Sequence, residues 1–253
     1  MTGRKYEFFL YPFSFGEMTG HHGFLTEKRM LEHRMIYGYY PDVALNTGEE
    51  SRLLKILASD YLYKDLLIIG NIKKPVLLEK LLKALALQVG NEVSYNELSQ
   101  LLDSDKGTIE RYIDLLEKTY IVFRLNGLSR NVRNEIKKGK KIYFYDNGIR
   151  NAIINNFQPL NSRSDTVALW ENFLVSERVK LNSNRMADVK TYFWRTTQKQ
   201  EIDYIEERDG MLFAFEFKWN PRKKSILSKT FINAYPGSEF KMISPGNINE
   251  FLI

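Results

Sequence analysis

The sequence predicts an α/β protein, and three stretches carry that prediction. Glu201-Ile202-Asp203-Tyr204-Ile205 and Phe213 through Trp219 alternate and are rich in β-branched and aromatic residues. They flank an Asp209-Gly210 pair of the kind that closes a tight hairpin. Residues 166–181 have the pattern of a helix behind Ser164 and Asp165, either of which can cap it. Residues 75–145 run helix, capped helix, short turn, helix and two β-rich segments. With helical patterns before residue 65, the expected architecture is a helical N-terminal part, a helix-turn-helix with two strands, and a mixed β-sheet domain.

At 253 residues the chain suits one large domain or two or three small ones. The pattern divides at 1–73, 74–150 and 151–253. Hydrophobic residues make up 43% and charged residues 27%, enough for a sizeable core. The net charge of +6 and pI near 9.2 favour an anionic partner such as nucleic acid. There is no cysteine, which excludes disulfides and thiolate metal sites and fits a reducing cytoplasm. His21, His22 and His33 are the only histidines and lack a nearby carboxylate pattern, so a His-ligated metal is not expected. No run approaches a membrane span, so the chain reads as cytoplasmic without a membrane partner.

In order, residues 6–12 read as an apolar strand ended by Pro12, with Ser14 capping a helix. Residues 38–43 are a turn between helices, and 49–65 look helical. Pro75 opens a helix to Val89 whose apolar face is Leu77, Leu78, Leu81, Leu82, Leu85 and Val89, stopped by Gly90-Asn91. Ser94-Tyr95-Asn96-Glu97 is a capping box for a short helix to Leu102. Residues 103–107 turn, and Thr108–Lys118 is a second helix with Ile109, Tyr112, Ile113, Leu115 and Leu116 inward. Residues 120–125 and 141–145 are β-rich. This is the order of a winged helix-turn-helix.

Its candidate recognition helix carries Glu110, Asp114 and Glu117 against Arg111 and Lys118, a poor balance for an anionic groove. The wing is basic: Arg130, Arg133, Lys137, Lys138 and Lys140, then Lys141 opening the next strand, with Glu135 the only acid in the loop. The pattern suits phosphate contact, the alternative being a solvated basic loop. Residues 151–161 read as a polar connection. Beyond them come a strand at 190–195, the hairpin, a basic loop at 221–224, a helix, and a last strand at 240–244.

In the second hairpin strand, Ala214, Glu216 and Lys218 share one face, and Phe213, Phe215, Phe217 and Trp219 the other, which should face the core. Asp203 on the neighbouring strand can approach the carboxylate and amine. An Asp, twelve intervening residues, then Glu-x-Lys resembles the PD-(D/E)XK restriction-endonuclease-like fold. The resemblance implies that Asp203 and Glu216 hold Mg²⁺ and that Lys218 orients or activates water for phosphodiester cleavage. The chemistry is coherent, since hard oxygen ligands suit Mg²⁺ and the ion polarises a phosphoryl oxygen. The alternative is a solvated, ion-paired hairpin face.

Glu171 adds to the set. Val167, Trp170, Leu174 and Leu181 form the stripe of the 166–181 helix, bordered by Val175, and Glu171 and Arg178 fall inside it. A carboxylate there is costly unless paired or coordinated. Restriction-endonuclease-like folds often aim such a Glu at the metal, which implies a catalytic role for Glu171. The alternative is a Glu171–Arg178 pair.

Thr2-Gly3-Arg4, residues 9–17, 37–41 and 60–65, and Lys141 through Arg150 together resemble the part after the P-loop domain in a family of bacterial and archaeal AAA+-superfamily ATPases. There the P-loop domain is followed by a C-terminal domain of unknown function. No G-x-x-x-x-G-K-[S/T] and no acidic Walker B strand occurs in these residues, so no ATPase activity is expected. The resemblance implies a shortened relative or one half of a split protein, with a helical lid remnant and a P-loop ATPase domain as partner in trans. Two functions follow: a nucleic-acid-binding module with a Mg²⁺-dependent nuclease-like site, or a non-catalytic DNA-binding or protein-docking module of an ATPase.

Overall fold

The computed structural model describes residues 8–62, 66, 68, 70, 72, 74–129, 139–222 and 226–253. Ser14 caps α1 (Phe15–His22) in a reciprocal box with Glu17. Short helices α2 (Phe24–Arg29), α3 (Leu31–Tyr37), α4 (Pro41–Leu45) and α5 (Glu50–Ile56) follow. The strand expected over 6–12 does not form in its described part. Residues 8–12 are irregular, Phe8 and Leu10 are exposed, and the segment is fastened instead by Phe13 N–H donating to Tyr39 O. Pro12 lacks the N–H that a ladder would need.

α6 (Pro75–Leu87) and β1 (Glu92–Val93) precede α7 (Tyr95–Leu101), whose cap Ser94 accepts from Glu97 N–H. α8 (Lys106–Lys118) is capped by Asp105, and β2 (Val122–Gly127) and β3 (Lys140–Phe144) complete the segment. Leu77, Leu81, Leu85, Leu98, Ile109, Ile113 and Leu116 lie in one buried cluster, and α7 packs on α8.

A helix stands where the polar connection was expected to begin. Asp146 caps α9 (Asn147–Ile153) by accepting from Ile149 N–H, and the helix is buried through its polar residues. Asn147 donates to Met35 O and Leu169 O, Asn151 to Ile36 O, and Arg150 to Ala86 O. Gly148 lies so close to the Tyr37 carbonyl that a Cβ would overlap it. Segments from all three parts of the chain therefore meet on α9 and share one core.

α10 (Thr166–Asn184) runs through that core. It is buried nearly all round, including Leu169, Phe173, Ser176 and Lys180, rather than along the expected stripe, and Val167 is exposed. The remaining elements are β4 (Lys190–Arg195), β5 (Glu201–Arg208), β6 (Met211–Phe217), α11 (Lys229–Ala234), β7 (Glu239–Ile243) and α12 (Asn249–Leu252). Asp209 and Gly210 close the β5–β6 hairpin with φ of 50° and 78°, both in the left-handed region as a type I′ turn requires.

The described strands form one mixed sheet in the order β1-β3-β2-β4-β5-β6-β7. β2 pairs with β4 in parallel through Asn126↔Tyr192 and Gly127↔Phe193, and β6 with β7 in parallel; the other pairs are antiparallel. The β2–β3 hairpin is thus continuous with the sheet that carries the acidic residues. α10 and α12 cover one face through Tyr204, Phe215, Phe217 and Phe251, and α11 covers the other through Phe231 on Trp194 and Ala214. Among the described residues no helix is long and apolar enough to cross a membrane.

Candidate functional site

A bulge places Asp203. Tyr192 pairs with Ile205 and Trp194 with Ile202, so Asp203 and Tyr204 together oppose Phe193 alone. Two residues against one bend the strand and re-aim its side chains. Across the hairpin, the register Tyr204↔Phe215 sets Asp203 level with Glu216. Asp203 Oδ2 accepts from Phe217 N–H at 2.7 Å. Asp203 as a residue keeps some water contact while protein crowds its carboxyl, and the crowding governs its ionisation. Enclosure pushes the carboxyl well above the usual range, and the negative charges of Glu171 and Glu216 push it further. Lys141 and the Phe217 N–H act in the opposite sense without cancelling this.

Glu171 reaches the same place from α10. Its Oε1 accepts from Lys141 Nζ at 2.9 Å and from Tyr143 Oη at 2.6 Å. Lys141 also meets Glu201 Oε1 at 2.5 Å and lies 5.4 Å from the Phe193 ring centre. Burial alone would depress its ammonium, but Glu171, Glu201 and Asp203 outweigh that and hold it above the ordinary lysine value. Burial and Glu171 likewise raise the Tyr143 phenol. Glu216 Oε1 accepts from Lys218 Nζ at 2.7 Å. Arg195 stands 3.8 Å from Glu201 and 3.4 Å from Glu92, and with Phe193 it lines an open cleft of about 460 Å³ beside the cluster.

The structure brings Asp203, Glu216 and Lys218 into one region, as the spacing implied, and sets Glu171 of α10 beside Asp203. The Glu171–Arg178 alternative does not occur: Arg178 bonds Glu206 through Nε and Nη2, at 2.8 Å each, and the Phe251 carbonyl. Lys141, grouped at first with the phosphate-contacting wing, is only 1% exposed and points at carboxylates. The reason is strand alternation, which sets Lys141 in step with Tyr143. That alternation was the signal available for Lys141 and Tyr143. Nothing local marked Glu201.

Lys140 is half-buried with its ammonium 5.5 Å from the Tyr95 ring centre. Arg130, Arg133, Lys137 and Lys138 lie outside the described residues. On α8, Asp114 and Glu117 are taken up by Arg124 from β2. His22 and His33 do meet carboxylates, Glu27 at 2.6 Å and Glu50 at 3.3 Å.

Among the described residues no group of three or more His, Asp or Glu side chains is spaced to hold a metal ion. Glu171 and Glu201 are held by the Lys141 ammonium and Glu216 by that of Lys218, whereas Asp203 accepts from the Phe217 N–H. Their chemistry nevertheless fits a hard divalent cation, because Glu171, Glu201, Asp203 and Glu216 supply oxygen donors only and Asp203 is short of positive charge.

Residues 28–160 match the family described as Domain of unknown function (DUF8612). The chain belongs to the DUF8612 family. Residues 167–248 match a second model, Domain of unknown function (DUF4143). The candidate site straddles both, since Lys141 and Tyr143 fall in the DUF8612 match and Glu171, Glu201, Asp203, Glu216 and Lys218 in the other. This DUF8612 chain is 28% identical over 184 residues to an uncharacterized protein of Mycobacterium tuberculosis, covering 72% of the chain and 41% of the relative. The figures are the same for an uncharacterized protein of Mycobacterium bovis. An uncharacterized protein of Haemophilus influenzae is 24% identical over 164 residues, covering 61% of the chain and 41% of the relative. The chain thus spans about two fifths of the length of these relatives. No solved structure matches it.

Proposed function

We propose that the chain is the C-terminal module of an AAA+-type ATPase family protein, binding nucleic acid through a winged helix and carrying a Mg²⁺-dependent nuclease-like site of the PD-(D/E)XK kind. The observation that supports this best is Asp203: a carboxyl enclosed by protein, level with Glu216, facing Glu171, and short of positive charge. A fold gains no stability from such an arrangement, which is where perturbed ionisation points to a functional site. Asp203 and Glu216 would hold Mg²⁺, which when bound supplies a polarised phosphoryl oxygen and a water acidic enough to attack it. Lys218 keeps its ammonium beside Glu216, where it would orient the attacking water and face the negative charge that develops on the phosphoryl oxygens. Tyr143 fixes Glu171 through its hydroxyl. The basic residues Arg130, Arg133, Lys137 and Lys138, between β2 and β3 in sequence, would supply sequence-independent phosphate affinity. A P-loop ATPase domain in trans is the partner that accords with the resemblance in the N-terminal segment.

A second reading has an observation of its own. Lys141 already neutralises Glu171 and Glu201, as in a nuclease fold that has become a non-catalytic DNA-binding or docking module. Cleavage of supercoiled and single-stranded DNA and of RNA, with Mg²⁺ and with a chelator, separates the two. Cleavage by the wild type that needs Mg²⁺ and is lost in Asp203→Asn and Glu216→Gln is expected. Nucleic-acid binding without cleavage, unchanged in both variants, selects the second reading.

A further inference from the structure

Lys141 is unlike the other cations of the site. Its ammonium contacts two carboxylates, Glu171 at 2.9 Å and Glu201 at 2.5 Å, lies within the field of a third, Asp203, and belongs to a residue 1% exposed. It comes from β3, in the part of the chain that contributes none of the acids. Lys218 has Glu216 as its ion-pair partner, and its side chain is 25% exposed. It can swing aside into water at little cost, whereas Lys141, packed over Phe193, has no such exit. An ammonium and a divalent cation ask the same thing of a carboxylate, and two cations a few ångströms apart in a poorly hydrated pocket repel each other strongly.

Building on the nuclease-like reading, we propose that the Lys141 ammonium is a built-in counter-ion of the acidic cluster, paired with Glu171 and Glu201 and acting on Asp203 through its field, so that it competes with a divalent cation and holds its affinity low. The lysine keeps the acidic cluster folded without metal, and it limits how far the cluster fills at a given metal concentration. It acts as a positioning residue through the carboxylates.

The test is calorimetric titration of Mn²⁺ into the full chain as wild type, Lys141→Met, Asp203→Asn, and the Lys141→Met/Asp203→Asn double variant. Lys141→Met is expected to bind Mn²⁺ at least roughly tenfold more tightly than wild type, equivalent to about 1.4 kcal/mol, and the double variant to lose the gain. Equal affinities in wild type and Lys141→Met, with Asp203→Asn abolishing binding, would overturn the counter-ion role and leave the nuclease-like reading standing. Tight binding by Lys141→Met with none by wild type at millimolar Mn²⁺ would support the counter-ion role and overturn metal-dependent catalysis in the native chain. No binding by any of the four overturns both. Where Lys141→Met does not fold alone, circular dichroism should show Mn²⁺ restoring the fold unless Asp203→Asn is also present; no restoration overturns the proposal.

Discussion

Asp203 and Glu206 lie three residues apart on β5, and protein encloses both carboxyls. Glu206 accepts from Arg178 Nε and Nη2 at 2.8 Å each, from Asn182 at 2.7 Å and from the Tyr204 hydroxyl at 3.2 Å, with Arg208 also against it. Asp203 accepts one backbone N–H and faces two further carboxylates. Glu206 is a satisfied ion of the core between β5, α10 and the C-terminal helix. Asp203 is left with a deficit of positive charge that no neighbouring arginine corrects. The same strand therefore holds one acid that the fold requires and one that the fold tolerates.

The largest effect expected from that contrast is at Glu206. Glu206→Gln leaves Arg178 enclosed and unpaired, and breaking a buried pair in this way costs about 3–5 kcal/mol. Urea unfolding checks it, and a cost near zero would remove the distinction between the two acids. Tyr143→Phe comes next. It deletes a hydroxyl bonded to the Glu171 carboxylate, and a hydrogen bond to a charged group contributes about 1.5–3 kcal/mol.

Asp203→Asn should leave apo stability unchanged or slightly raised. The sign follows from linkage: the folded carboxyl titrates above its unfolded value of about 3.9, so its contribution is fully present below that pH and is lost as pH rises through the folded value. The stability of wild type relative to Asp203→Asn should accordingly fall from mildly acidic to neutral pH. A parallel pH profile for the two proteins would show that Asp203 is no different from a solvated acid. The smallest effect belongs to Glu92→Gln, which breaks the outer Arg195 pair, about one third exposed on both sides. It should change stability by about 0–1 kcal/mol.

The parts of this arrangement visible in the sequence are the local ones. The β5–β6 hairpin follows from alternation and Asp209-Gly210, the α7 cap from Ser94 and its following residues, and α6 from its leucine spacing, whereas α8 starts behind Asp105 at Lys106, inside the expected 103–107 turn. The convergence of Asp203, Glu216 and Lys218 came from the same hairpin. What was not legible depends on partners distant in sequence. The period of α10 cannot show a face because the helix is covered on nearly every side, so Val167 was misplaced inward and Arg178 was matched with Glu171 instead of Glu206. α9 is buried through Asn147, Arg150 and Asn151, whose bonds go to backbone carbonyls in α3, α6 and α10. A polar sequence of that kind reads as a loop until those carbonyls are in place. Lys141 looked like the edge of a basic wing because its partners are distant in sequence: α10 packs directly on β3 and brings Glu171, and the parallel pairing of β2 with β4 brings the β4–β5 strands that carry Glu201.

On the proposed function, Asp203 is left with more negative than positive charge around it so that it can share a divalent cation. Thermal unfolding of wild type and Asp203→Asn, each with and without millimolar Mg²⁺ or Mn²⁺, tests it most directly. A cation bound only by the folded state raises the midpoint by mass action. The account predicts a metal-dependent rise in the wild type and none in Asp203→Asn, while Glu216→Gln behaves as Asp203→Asn does. The same response to metal in wild type and Asp203→Asn would contradict it.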